Sequence, residues 1–199
     1  MAKEKLEFTE EDFPSSREVK KELRRVRKQK RINQAIFSAI RSIVVGAAAA
    51  VLIATLLIPV FRIYGTSMSP TLEEGEIVVA LKTSSYKPGD LIAFYYNNKL
   101  LVKRVIATEG QWVDIDNDGN VFVNEVQLEE PYLMDKSLES CDIELPYQVP
   151  EGRVFVMGDH RSVSLDSRME EIGCISDDRV AGKLKFIIWP LNKFGSAKY

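Results

Sequence analysis

Cysteine and histidine are scarce in this chain of 199 residues, which contains two cysteines and one histidine, His160. Cys141 and Cys174 lack the close spacing of paired zinc ligands, so the sequence predicts neither a metal site nor a bound cofactor. The two thiols can form a disulfide in an oxidising compartment or stay separate in an apolar core, and both alternatives remain open. The chain has no internal repeat and no low-complexity linker, which favours one folded unit over residues 62–199.

Charge is absent from one long stretch of the chain. Residues 42–61 are 20 uncharged positions between Arg41 and Arg62, and about 20 apolar residues cross the hydrocarbon core of a bilayer as a helix. A buried core helix is one alternative, but small domains rarely bury so long a helix without a polar face. A cleavable signal sequence is another, but its apolar stretch is shorter and its charged region is brief. We therefore predict one transmembrane helix over residues 42–61.

The two sides of this apolar run differ in charge. Residues 1–41 contain 12 basic and 7 acidic side chains, whereas residues 62–199 contain 15 and 22. Nine of the basic residues lie between Arg17 and Arg31, and basic residues beside a spanning helix stay on the cytoplasmic side. No aromatic interleaving or recognition-helix pattern accompanies them, so a nucleic-acid partner is not predicted. We predict a cytoplasmic arm over 1–41, an extracytoplasmic domain over 62–199, and a location in the plasma membrane with the lipid bilayer as a partner.

Short runs of branched and aromatic residues dominate the remainder of the chain. They occur at 76–81, 90–96, 100–107, 121–123 and 153–157. Turn residues such as Pro88-Gly89, Asn97-Asn98 and Asp118-Gly119 separate them, which is typical of strands rather than helices. The sequence therefore predicts a mostly β domain with antiparallel strands and a small variable β excursion at about 110–150.

A serine and a lysine are the candidate catalytic residues. Ser67 lies in GTSMSPTL at 65–72, where a glycine and a proline favour an exposed bend. Lys103 lies on a predicted strand, and alternation places it on the same face as Leu101 and Val105. An amine among apolar side chains loses its proton more easily, so Lys103 can serve as the base for a serine nucleophile. Each residue alone also fits an ordinary loop serine or an edge-strand lysine.

Four motifs occur together in a fixed order along the chain. They are GTSMSPTL at 65–72, KPGD at 87–90, VKRVI at 102–106 and GDHRSVSLDSR at 158–168. In this order and spacing the chain resembles the bacterial type I signal peptidases, and in particular the members from Gram-positive bacteria. The resemblance implies a coiled antiparallel β-sheet catalytic domain of signal-peptidase type, anchored by one N-terminal transmembrane helix, with a reduced version of the family's variable second lobe.

The resemblance also implies a role for each residue of the site. Ser67 corresponds to the nucleophile, Lys103 to the general base, and Ser164 to a serine whose hydroxyl helps orient the lysine amine. Asp166 and Arg168 correspond to a buried ion pair that supports the site. The implied reaction is hydrolysis of the peptide bond between a signal peptide and its mature protein, through an acyl-enzyme and without a cofactor.

Substrate recognition in this family uses main-chain pairing with two strand-like segments. Their counterparts here are Ile63, Tyr64, Gly65, Thr66, Leu100, Leu101 and Val102. Such pairing reads the backbone, so specificity is expected from shallow pockets for small residues at the first and third positions before the cut. The expected partners are secretory preproteins. The main-chain N–H of Ser67 is the implied oxyanion donor, and a second donor is unassigned because position 65 is glycine.

Two departures from the family pattern leave an alternative open. His160 stands where the family has asparagine, and Ser162-Val163 stand where it has an acid–amide pair. Different hydrogen bonds are therefore expected in this turn, and the alternative function is a catalytically inactive, membrane-anchored β module that binds secretory proteins. A catalytic His160 is disfavoured because the histidine of related Ser-His enzymes occupies the position of Lys103. Self-cleaving repressors share a Ser-Lys dyad, but they need a DNA-binding module where this chain has the apolar run.

Residues 114–125 match the spacing of a calcium-binding loop. The acidic positions of that match are Asp114, Asp116, Asp118 and Glu125. A calcium loop of this kind lies between two helices, whereas the residues on both sides alternate like strands around Asp118-Gly119. We therefore predict a β-hairpin at this position rather than a metal site.

Overall fold

The computed structural model describes residues 15–138 and 141–197. One long helix, α1, spans Ser16–Leu57, and residues 1–14 of the predicted cytoplasmic arm lie outside the described residues. A capping box begins the helix, because the Ser15 hydroxyl accepts from the Glu18 N–H at 3.4 Å and the Glu18 carboxylate accepts from the Ser15 N–H at 2.9 Å. In the described part of the chain, α1 is the one helix long and apolar enough to cross a membrane.

The helix ends before the predicted run does. Proline has no N–H with which to continue a helix, and Pro59 follows two residues after the last helical position, Leu57. Val60 and Phe61, the last residues of the run, already belong to a strand.

Twelve strands follow within the described residues. They are β1 Val60–Arg62, β2 Ile77–Leu81, β3 Leu91–Tyr96, β4 Lys99–Thr108, β5 Trp112–Ile115, β6 Val121–Val123, β7 Val126–Gln127, β8 Tyr147–Gln148, β9 Arg153–Met157, β10 Ile175–Ser176, β11 Val180–Trp189 and β12 Gly195–Ser196.

The larger sheet has the strand order β1-β2-β11-β3-β4-β9-β10, and β12 adds to β11. Every pair of strands in it is antiparallel, so the prediction of a mostly β, antiparallel fold is confirmed. Asn97 and Asn98, with φ of 44° and 60°, form the two-residue turn between β3 and β4. This hairpin fixes the register in which Lys103 lies opposite Ile92.

The smaller sheet has the order β7-β6-β5-β8 and lies within the 110–150 range of the predicted excursion. The predicted hairpin is present, since β5 and β6 pair antiparallel with Ile115 opposite Val121. The Asp116 carboxylate accepts the N–H groups of Asp118 and Asn120 at 3.0 and 2.8 Å, and hydrogen bonds from Asn120 lower its pKa. This carboxylate is therefore occupied in holding its own turn.

Buried apolar side chains form three clusters around the two sheets. The first contains Met68 and Leu72 from the connection between β1 and β2. The second lies between the two sheets and contains Cys174, with Cys141 packed against it. Both cysteines are free thiols in the structure, and burial raises the pKa of Cys174 to about 12. The alternative of two separate thiols in an apolar core is thus the arrangement found.

Candidate active site

Ser67 lies in the connection between β1 and β2, at the start of a turn over residues 67–71. The Leu72 N–H donates to the Met68 carbonyl at 2.9 Å. Met68 is 3% exposed and Leu72 is fully buried, and each buried side chain of this size contributes about 1.5–3 kcal/mol. The two residues therefore anchor the turn in the apolar core, while Ser67 itself remains half-buried.

Strand β4 brings Lys103 to this turn. Its Nζ lies 2.6 Å from Ser67 Oγ, and the lysine is 3% exposed. Burial disfavours the ammonium and lowers the pKa of Lys103 from 10.5 to about 8, although the carboxylates of Asp166 and Asp159 act in the opposite direction. The neutral amine, which can accept the proton of a hydroxyl group, is therefore the major form above about pH 8.

Asp166 and Arg168 lie in the loop 158–168 that follows β9 and form a buried ion pair. Arg168 donates from Nε to Asp166 Oδ1 at 2.9 Å and from Nη2 to Oδ2 at 3.0 Å. Asp166 also accepts the Gly158 N–H at 3.0 Å, and Arg168 donates to the Ser137 carbonyl at 2.7 Å. The pair thus connects the two ends of the loop to each other and to the excursion.

Ser164 lies in the same loop and is buried. Its Oγ has no hydrogen-bond partner among the residues that the structure describes, so the structure does not contain the implied hydrogen bond from Ser164 to Lys103. A Cβ placed on Gly158 would lie 2.2 Å from Ser164 Oγ and 2.6 Å from the Ser67 carbonyl oxygen. Only glycine fits at position 158, and there the loop packs directly against the backbone of Ser67.

A second buried ion pair lies beside Lys103 and was not predicted. Arg104 donates to the two Asp159 oxygens at 2.8 and 2.6 Å, and the side chains are 3% and 0% exposed. The hydroxyl of Thr71, at the end of the Ser67 turn, also donates to Asp159. An arginine in an apolar strand is rarely buried without an anion. The position of Arg104 in an apolar strand therefore indicates that it has an acidic partner, but the sequence does not identify that partner as Asp159.

An open groove of about 570 Å³ extends from the contact between Ser67 and Lys103. Six of the seven predicted substrate-binding residues line it, namely Ile63, Tyr64, Gly65, Leu100, Leu101 and Val102. Thr66 is not among the lining residues. Strand β3 pairs with residues 99–104 of β4, whereas β9 pairs only from Arg104 onwards. Within the described ranges, the other edge of residues 99–103 has no strand beside it, so an extended peptide can pair there.

Comparisons with known proteins show which family this chain resembles over most of its length. The family model for signal peptidase, peptidase S26, matches residues 36–189. Signal peptidase I of Bacillus licheniformis is 36% identical over 171 residues, which cover 79% of this chain and 91% of that protein. Signal peptidase IB of Staphylococcus aureus strain COL is 34% identical over 163 residues, which cover 72% and 84%. A crystal structure of a signal peptidase I from Enterococcus faecalis V583 is 31% identical, covers 49% of this chain and 95% of its own, and aligns with a TM-score of 0.41.

The family model alone covers most of the chain, including both the Ser67 turn and β4. The two bacterial relatives extend over most of their own lengths as well, so the similarity is not confined to one motif. This chain therefore belongs to the peptidase S26 family of signal peptidases.

Proposed function

We propose that Ser67 is the nucleophile and Lys103 the general base with which this signal peptidase removes signal peptides from secreted preproteins. The observation that carries the proposal is the 2.6 Å contact between Ser67 Oγ and the buried Lys103 Nζ at one end of the groove. A serine hydroxyl needs a base, and a desolvated lysine can act as one near neutral pH. The catalytically inactive alternative is not favoured, because it gives no reason for this contact.

In the proposed reaction, neutral Lys103 takes the proton of the Ser67 hydroxyl as Oγ attacks the carbonyl carbon before the cut. The carbonyl oxygen becomes an oxyanion, for which the Ser67 N–H is the proposed donor. Lys103 then gives the proton to the leaving amine of the mature protein, which leaves an acyl-enzyme on Ser67. Lys103 next takes a proton from water as the water oxygen attacks the carbonyl carbon of the ester. The bond from that carbon to Ser67 Oγ then breaks, Lys103 returns the proton to Oγ, and the signal peptide leaves with a new carboxyl group.

Asp166, Arg168 and Ser164 have a supporting role in this proposal. The ion pair fixes the loop whose Gly158 packs against Ser67. Ser164 Oγ is buried in the same place without a partner in the described part of the chain. An unpaired hydroxyl there is available to orient the amine of Lys103 when substrate binds.

Small residues are the proposed requirement at the first and third positions before the cut. The buried side chains of Ile63 and Met68 line the groove together with Ser67 and Lys103, and we propose that these two side chains form the floor of a shallow pocket. Replacing alanine by leucine at the first position of a preprotein should lower kcat/KM for processing at least about tenfold.

The matched control is the same replacement at the second position before the cut. In an extended peptide this side chain points away from the neighbouring ones, so leucine should be tolerated there. Processing of purified preproteins by the full-length protein measures both rates. Equal rates for leucine and alanine at the first position would contradict the proposed pocket.

The proposed topology places residues 1–41 in the cytoplasm, a span within 42–61, and residues 62–199 outside the plasma membrane. It is supported by the one sufficiently apolar helix of the described residues and by the nine basic residues between Arg17 and Arg31. Protease added to intact spheroplasts should digest residues 62–199 and spare the arm. Detergent-lysed spheroplasts, in which both parts become accessible, are the control. Trimming of residues 1–41 alone would show the opposite orientation.

A further inference from the structure

The segment 130–137 of the excursion crosses the loop 158–168 that borders Ser67. Glu130 and Arg161 form an ion pair, and Asp135 and His160 form a strand-like bridge. The Met134 N–H donates to the Asp159 carbonyl, and the Ser162 N–H donates to the Asp135 carboxylate. The Arg168 guanidinium donates to the Ser137 carbonyl. Residues 130–137 of the excursion are thus joined to both ends of the active-site loop, at residues 159–162 and at Arg168.

Glu130 is the charged centre of this crossing. Its side chain is 5% exposed and its partner Arg161 is 1% exposed. Glu130 Oε1 accepts from Arg161 Nη2 at 2.5 Å and from the Tyr132 hydroxyl at 3.0 Å. The Tyr132 ring lies 3.7 Å from the guanidinium carbon of Arg104, the residue next to Lys103. The buried Glu130 carboxylate is therefore linked directly to Arg161 in the active-site loop and, through Tyr132, to Arg104 in β4.

Contacts continue from Arg161 to the nucleophile. Arg161 Nε donates to the Gly158 carbonyl at 3.0 Å, and Gly158 packs against the Ser67 carbonyl without room for a Cβ. The His160 N–H donates to that same Ser67 carbonyl at 3.2 Å. The position of the Ser67 backbone thus depends on the conformation of residues 158–161, which Arg161 holds through Glu130.

We propose that Glu130 is a positioning residue for Ser67, acting through Arg161 and the turn 158–161. This rests on the proposed role of Ser67 as nucleophile. Without the Glu130 charge, Arg161 is a buried cation with no anion, and such a group moves toward solvent. A displacement of the nucleophile by about 1 Å can cost up to about 10²-fold in rate. Glu130 touches neither substrate nor reacting atoms, so its effect is on geometry.

The test compares full-length Glu130→Gln with the wild type in single-turnover cleavage of a purified preprotein, with enzyme in saturating excess. Under these conditions a partly unfolded population does not change the limiting rate constant, whereas a displaced nucleophile lowers it. We expect the limiting rate constant to fall about 10- to 100-fold. Glu130→Asp, which keeps the charge, should restore most of the rate.

Glu129→Gln is the matched control, because this substitution also removes one negative charge, but from a side chain that is exposed to solvent. It should cleave at the wild-type rate. A Glu130→Gln limiting rate constant within twofold of wild type, with Ser67→Ala inactive, would overturn the positioning role while leaving the nucleophile intact. Cleavage by Ser67→Ala would instead overturn the proposed function.

Should Glu130→Gln not fold, Tyr132→Phe gives the same test in a milder form. It removes the hydroxyl that donates to Glu130 and keeps the ring beneath Arg104. A loss of about threefold in the limiting rate constant is expected, equivalent to one hydrogen bond of modest strength. A wild-type limiting rate constant for Tyr132→Phe would count against the proposal.

Discussion

Purified full-length Lys103→Ala should lose at least about 10³-fold in signal-peptide cleavage while remaining folded. Without the amine, no group replaces the Nζ that lies 2.6 Å from Ser67 Oγ, and a serine hydroxyl keeps its proton at neutral pH. Removing Lys103 also removes a buried cation, so the protein should not be destabilised by an unpaired charge. Processing of one preprotein, followed together with the thermal unfolding midpoint, measures both effects.

Two further variants separate a base from a positive charge. Lys103→Arg keeps the charge, but arginine does not lose its proton in proteins, so it should be as inactive as Lys103→Ala. Ser67→Ala should show a similar loss, and the double variant should be no worse than either single one, because the two residues act as a unit. Ser69→Ala, in the same turn, should cleave normally.

Activity of Lys103→Ala close to that of the wild type would contradict the dyad and direct attention to His160. The hydrogen bond that the structure shows between His160 and Ser67 comes from the His160 backbone N–H, which donates to the Ser67 carbonyl at 3.2 Å. Its Nδ1 is buried and has no hydrogen-bond partner within residues 15–138 and 141–197. His160→Asn, the residue that the family pattern has there, should therefore retain cleavage.

Local sequence patterns identified much of the fold. Alternation along 100–107 gave Lys103 an apolar face, and the structure buries it. The Asn97-Asn98 pair marks the turn that sets the register of β3 and β4. These features depend on neighbouring residues, for which spacing is a sufficient guide. The family resemblance is confirmed, whereas the catalytic roles of Ser67 and Lys103 remain predictions.

Contacts between distant segments could not be predicted in the same way. Arg104 pairs with Asp159, 55 positions away, and Glu130 pairs with Arg161, 31 positions away. Nothing in local periodicity chooses one buried partner over another, because several acidic residues have suitable spacing and only the folded chain brings one of them close. The predicted hydrogen bond from Ser164 to Lys103 is absent from the described residues for a related reason. A motif match assigns a role to a residue, but it does not determine the rotamer of its side chain.

The buried pair of Asp166 and Arg168 should affect the pH dependence of cleavage in two opposite directions. Wild-type activity should rise with pH through the pKa of Lys103, about 8, since only the neutral amine is a base. The Asp166 carboxylate raises that pKa and the Arg168 guanidinium lowers it. Asp166→Asn removes an anion that stabilises the Lys103 ammonium and leaves the Arg168 cation. The pKa of Lys103 should therefore fall, and the midpoint of the rise in activity should move to lower pH than in the wild type. Arg168→Met leaves the Asp166 anion alone, so the pKa of Lys103 should increase and the midpoint of the rise in activity should move to higher pH.

Both variants should also be less stable, because each leaves one buried charge without its partner. The two side chains are at most 1% exposed, and breaking such a pair typically costs about 3–5 kcal/mol in the free energy of unfolding. Measurements of kcat/KM against pH and of denaturant unfolding, on the same preparations in detergent, test the two effects separately. Loss of stability with both pH profiles unchanged would mean that the pair supports the loop without influencing Lys103. Shifts in the same direction would contradict the proposed electrostatic coupling between the pair and Lys103.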